Sequence, residues 1–201
     1  MNISDILSGP LGQNVINSVS SQLGMSKTEA ASAIGVAVPA ILAGLTKNTQ
    51  TSQGAESLNK ALESKHDGSL LDNLSSMLQG QSAAVQQDGN GILDHIFGSQ
   101  KGAIEKGVAA KSGLSIQKVG PLLSILAPIV MAYVGKQKKQ SKTSAGGLGD
   151  LLGGLLGSVG GGTTSKKSGS AGGLMGMVTG MLDKNKDGNI LDDLLGGFLG
   201  K

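Results

Sequence analysis

The sequence matches itself. Displaced by 89 residues, Gly24-Met25-Ser26 falls on Gly113-Leu114-Ser115, Pro39 on Pro128, Val15 on Ile104 and Val19 on Val108. In the same register Asp5 falls on Asp94 and Gly9 on Gly98, with no gap. One matched proline arises easily by chance, but a run of apolar, glycine and proline matches at one offset marks a duplicated unit. One unit spans about residues 1–46 and its copy about 90–135. Two equivalent pieces most simply share one core.

Each unit reads as helical. Residues 12–23 place Val15, Ile16, Val19 and Leu23 at helical spacing, and Gly24 is a stop that tolerates positive φ. Ser26 and Glu29 form a capping box, S-x-x-E, ahead of a long helix to about Leu45. The copy repeats this as a helix over 101–111, the stop Gly113, the cap Ser115 and a helix to about Gly135. Pro39 and Pro128 lie inside the second helices, and each removes one backbone donor and predicts a kink or break.

Composition narrows the core. The chain has Tyr133, Phe97 and Phe198 as its whole aromatic supply, with no Cys and no Trp. The core is therefore aliphatic, and scarce strand formers favour helices. Missing cysteines exclude disulfides and thiolate metal sites.

Charge is unevenly spread. Residues 1–100 hold four lysines and eight carboxylates, whereas 101–145 hold eight lysines and only Glu105. A basic middle attracts anions, but all 17 cations are Lys. Bidentate reading of phosphate or guanine is an arginine task, and base stacking needs aromatics, so sequence-specific nucleic-acid binding is not expected. The opening MNISDILSGPLGQ has neither a basic n-region nor a continuous apolar h-region, which points to a cytoplasmic home.

A shorter motif, D-G followed by L-D-x-[LI], occurs at Asp67–Leu74, Asp88–Ile96 and Asp187–Leu194 and reads as a polar turn launching a short helix. Polar linkers are expected at 47–55 and 78–87, a basic linker at 136–147, and a Gly/Ser linker at 160–173. GLGDLLGGLLGSVG, between the last two, resembles the closing DDLLGGFLG. Both need a packing partner to stay helical, because glycine costs about 1 kcal/mol in a helix interior.

Catalytic signatures are missing. His66 and His95 each neighbour an Asp, but no nucleophile elbow accompanies them, and they read as exposed turn residues. The uncharged stretch 119–135 followed by KQKKQSK approaches a membrane span, yet its length and prolines favour a buried core helix. The best chemical candidate is Asp183-Lys-Asn185-Lys-Asp187-Gly188-Asn189-Ile190, which fits the first eight positions of an EF-hand calcium loop. Asp183, Asn185 and Asp187 would supply side-chain oxygens and Asn189 its carbonyl, between helices at 172–182 and 190–199. The bidentate Glu of position 12 is replaced by Leu194, so Asp192 or Asp193 must bend inward. The alternative is an Asx-rich capped turn.

The segments NISDILSGPLGQNVINSVSSQLGMS, AVPAILAGL, GILDHIFG, SGLSIQKVGPLLSILAPIVMAYVGK and DGNILDDLLGGFLG resemble the bacterial domain-of-unknown-function family 937. The resemblance implies an uncharacterised helical repeat protein and no catalytic residue. The expected architecture is all-α, with a first helical unit over 1–89, a second over 90–135, a linker region over 136–171 and an EF-hand-like helix-loop-helix over 172–201. The expected function is a non-enzymatic structural or interaction protein that self-associates. A weak calcium-binding module and a membrane- or envelope-associated protein are the alternatives.

Overall fold

The computed structural model describes residues 9–72, 74 and 82–159. By contacts the chain divides into two compact units, Met1–Gly162 and Thr163–Lys201. The architecture below is that of the first unit. Its described residues form helices joined by short turns and contain no strand.

Helix α1 (Pro10–Leu23) opens on a proline, whose missing N–H is harmless in a first turn. It ends at Gly24 in the left-handed region, φ 57°, with the Gly24 N–H donating to the Ser20 carbonyl. Helix α2 (Lys27–Asn48) begins with the complete capping box: the Glu29 N–H donates to Ser26 Oγ and the Ser26 N–H donates to Glu29 Oε2. Helix α3 (Ser52–Ser64) follows after a short turn capped by Thr51. The turn at Asp67-Gly68 then leads into α4 (Ser69–Asp72). Helix α5 (Ser82–Phe97) passes through a 3₁₀ turn (Gly98–Gln100) to α6 (Lys101–Ser112), which stops at Gly113 with φ 74°. Helix α7 (Ile116–Ser141) leads through a second 3₁₀ turn (Ala145–Gly147) to α8 (Leu148–Val159).

Helix α7 is the axis of the core. Every residue from Leu122 to Gly135 is buried, so this stretch is covered on all faces, as an all-round apolar helix must be. Helices α1, α2, α3, α4, α5, α6 and α8 all pack against it. The second centre is α2, which buries Ile34, Ile41, Leu42 and Leu45 against α1, α5, α6, α7 and α8. The Gly/Leu segment of α8 finds its packing partner here, on α2, through the fully buried Leu148 and Leu152. Val15 and Ile104, Ile34 and Leu123, and Ile41 and Val130 are all buried.

Several sequence expectations are corrected. Helix α7 continues to Ser141, through half of the expected basic linker 136–147. Lysines hold it there: Lys138 Nζ lies 2.7 Å from Glu63, Lys139 Nζ 2.8 Å from Asp67, and Lys136 Nζ 3.8 Å from Asp72. The expected linker 47–55 is a turn of only a few residues between α2 and α3, and 82–87 belongs to α5. Asp88-Gly89 is therefore no turn. It lies in mid-helix, whereas Asp67-Gly68 is a turn, with φ 102° at Gly68 and the Ser69 N–H donating to Asp67 Oδ1 at 3.0 Å. Pro39 and Pro128 sit within unbroken helices. The Ser115 side chain makes no cap hydrogen bond.

Candidate functional site

The site begins with two glycines that let helices touch. Pro128 has no N–H to give the carbonyl four residues back, so the Ser124 carbonyl is left without its helical donor. Gly89 of α5 meets α7 at that carbonyl, and a Cβ at 89 would collide with it. Ser124 Oγ lies 2.8 Å from Asn90 Oδ1 and 2.9 Å from the Gly120 carbonyl, which ties the same contact sideways. With Val85, Gly89, Leu93 and Phe97 turned to the core, helical spacing sends Ala84, Asp88, Gly91 and His95 to the adjacent face.

That adjacent face walls a cleft of about 620 Å³ between α3 and α5. Ser57, Leu58 and Ala61 of α3 form the other wall, and Leu45 of α2 and Met131 of α7 also line it. Its polar groups besides Ser57 are Asn48, Lys65, His66, Gln87, Asp88 and His95.

His66 is the residue most firmly placed there. The Lys65 and His66 N–H groups both donate to the Ala61 carbonyl at 3.1 Å, closing α3. The His66 carbonyl rests on Gly135, where α7 has no room for a side chain. Next along the chain, Asp67 is held by Ser69 and Lys139. The imidazole is consequently 4% exposed, its Nε2 is 3.6 Å from Asp88 Oδ2, and its Nδ1 has no hydrogen-bond partner. Burial holds the ring below the usual imidazole range. Asp88 pulls the other way and Lys65 adds to the depression, but burial prevails and the ring is neutral at pH 7.

The expectation of exposed turn histidines is thus half corrected. His95 is exposed but lies within α5, and His66 is buried. Each histidine neighbours an aspartate in sequence, yet Asp67 pairs with Lys139 and Asp94 with Lys101. His66 instead meets Asp88 from another helix, and no local spacing links those two positions. The available signal was the 84, 88, 91, 95 stripe, legible only if 82–97 is read as one helix.

Three other carboxylates are held by neighbours outside the cleft. Lys139 and then Ser69 hold Asp67 well below the usual carboxylate range. Lys138 does the same for Glu63, and the Ser26 backbone and hydroxyl do so for Glu29. Among the described residues no three His, Cys, Asp or Glu side chains gather into a metal-binding group. The proposed calcium ligands Asp183, Asn185, Asp187, Asn189, Asp192 and Asp193 lie outside the described residues.

No curated protein and no solved structure matches the chain. A family model described as a bacterial protein of unknown function, DUF937, matches residues 5–137, and the chain belongs to that family.

Proposed function

We propose that this chain is a non-enzymatic binding protein that works in the cytoplasm through the cleft between α3 and α5. The observation that supports this reading is the cleft itself. About 620 Å³ of space, lined by aliphatic side chains and by polar groups from three helices and the turn after α3, has the size of a ligand site. Its polar groups have no serine or cysteine nucleophile paired with His66, so they suit recognition better than covalent chemistry. Substituting Ala61→Trp tests this by filling the cleft. The wild type should bind the uncharged apolar dye Nile red, and the variant, at unchanged helix content, should not. Equal dye binding by both proteins would remove the cleft from consideration.

The same reading includes a duplicated origin, with α1–α2 and α6–α7 as copies. Matching burial of Val15 with Ile104 and of Ile34 with Leu123, and left-handed stops at Gly24 and Gly113, support it.

A second reading concerns the closing segment and rests on the D-x-N-x-D-G-x-I spacing at Asp183–Ile190. We propose that it binds calcium weakly and that the chain self-associates through DDLLGGFLG. Three side chains and one carbonyl, without the bidentate Glu, place the affinity near the weak end of such loops, about 10⁻⁴–10⁻³ M. Calorimetry should give heat for wild type and none for Asp187→Ala. Equal heats, or none at millimolar calcium, would reduce the loop to a capped turn. Light scattering with calcium and with chelator reads the self-association separately.

A further inference from the structure

The cleft carries a carboxylate, Asp88, that has no hydrogen-bond partner among the described residues. Its only ionic neighbour among them is His66 Nε2, at 3.6 Å and beyond hydrogen-bond range. The Asp88 side chain is 39% exposed, so it is part-withdrawn from water yet open to the cleft. Lys65, the one lysine that lines the cleft, is exposed and makes no ion pair with Asp88. A carboxylate drawn partly out of water gains most from a donor that is itself charged.

Beside the uncharged polar groups of Asn48, Ser57, Gln87 and His95, the rest of the lining is hydrocarbon. Leu45, Leu58, Ile92 and Met131 approach from four different helices and enclose an apolar volume beside the carboxylate. An anionic ligand would meet Asp88 as a like charge, and a purely apolar one would leave the carboxylate dry and unpaired. A ligand with a hydrocarbon body and a cationic head satisfies both parts.

We propose that the α3/α5 cleft binds an apolar molecule carrying a protonated amine, with the ammonium on Asp88 and the hydrocarbon against Leu45, Leu58, Ile92 and Met131. This assignment rests on the cleft being the binding site. His66 acts as a positioning residue: pinned by Gly135 and Ala61, it backs the carboxylate with a ring that brings no cation of its own to compete.

The test is calorimetric titration of the full chain at neutral pH with submicellar decylamine, decanol and decanoate, which share one chain length and differ in head group. Decylamine should bind about tenfold more tightly than decanol, the difference that one charge-assisted hydrogen bond supplies, and decanoate weakest. Asp88→Asn should bring decylamine to the level of decanol. Asp94→Asn removes a carboxylate that lies outside the cleft and pairs with Lys101, and it should keep the tenfold preference. Equal binding of the three probes, or a preference that survives Asp88→Asn, overturns the ammonium assignment and leaves the cleft as a binding site. No binding of any probe overturns both.

Discussion

A glycine inside a helix ordinarily costs about 1 kcal/mol relative to alanine. Gly107 of α6 fits that rule, since a Cβ there would meet nothing within 4 Å. Gly107→Ala should therefore stabilise the protein by up to about 1 kcal/mol. At Gly89 and Gly135 the sign reverses, because a Cβ would run into the Ser124 and His66 carbonyls, which are backbone and cannot swing aside. Either alanine should destabilise by about 1–3 kcal/mol, the usual range for overpacking. Urea denaturation of the three variants checks this, and stabilisation by Gly89→Ala would mean that α5 does not seat on α7 as described. His66 makes a second residue-scale prediction. In the unfolded chain it protonates near pH 6.5, whereas in the native chain burial delays protonation to lower pH. Between those values the unfolded state holds more protons, so stability falls as the pH falls through that window. The slope is at most about 1.4 kcal/mol per pH unit. Glu29, Glu63 and Asp67 are depressed carboxylates, whose stabilising ionisation is present at both neutral and mildly acidic pH and is lost as the pH falls from the ordinary carboxylate range through their lowered native values. Denaturation midpoints at about pH 7.5 and 5.5 should thus differ more for wild type than for His66→Gln. An identical pH dependence would show that the ring is not buried neutral.

The two long helices start from matched serines that do different things. Ser26 accepts from Glu29 and completes a reciprocal box, whereas Ser115, facing Gln117-Lys118 where α2 has Thr28-Glu29, makes no cap bond. Ser26→Ala should cost about 1 kcal/mol and Ser115→Ala close to nothing, measurable as thermal midpoints. An equal loss at both would contradict the cap geometry. The same contrast shows what sequence can reveal. The capping box, the glycine stops at 24 and 113 and the Asp67-Gly68 turn are local devices, each readable within a few residues. The extension of α7 to Ser141 is not local, because Lys136, Lys138 and Lys139 look like a solvated linker until Asp72, Glu63 and Asp67 are placed opposite them. Helix α5 hid for a similar reason. Gly89 and Gly91 argue for a turn on propensity, and only the close approach to Ser124 explains Gly89 within a helix. The cleft was illegible for both reasons together, since it lies between two segments read partly as linkers. Its His66–Asp88 contact joins positions that no motif connects.

At the scale of the molecule, the acidic first half and basic middle are complementary parts of one fold, with Glu63, Asp67, Asp72 and Asp94 paired to lysines from 101–139. This bears on the membrane alternative, which rested on an apolar helix followed by lysines. Two helices, α2 and α7, are long and apolar enough to cross a bilayer. In α7, 83% of the most apolar window is already buried by protein, and Lys136, Lys138 and Lys139, which would sit at a membrane surface, are engaged with acids of α3, α4 and the turn between them. Insertion would have to strip α7 from its neighbours, exposing the apolar faces of α1, α2 and α5 that it covers. Lipid would replace the contacts of α7 but not those of α1 and α5, which carry polar outer faces and cannot follow it into hydrocarbon. Apolar burial contributes about 25 cal/mol per Å², so uncovering several helices together outweighs what one inserted helix regains. Expressed without detergent, the protein should remain in the supernatant after high-speed centrifugation, and any that sediments with membranes should be released by a carbonate wash. A carbonate-resistant pellet would mean that α7 leaves the core, and with it the cleft to which Met131 contributes.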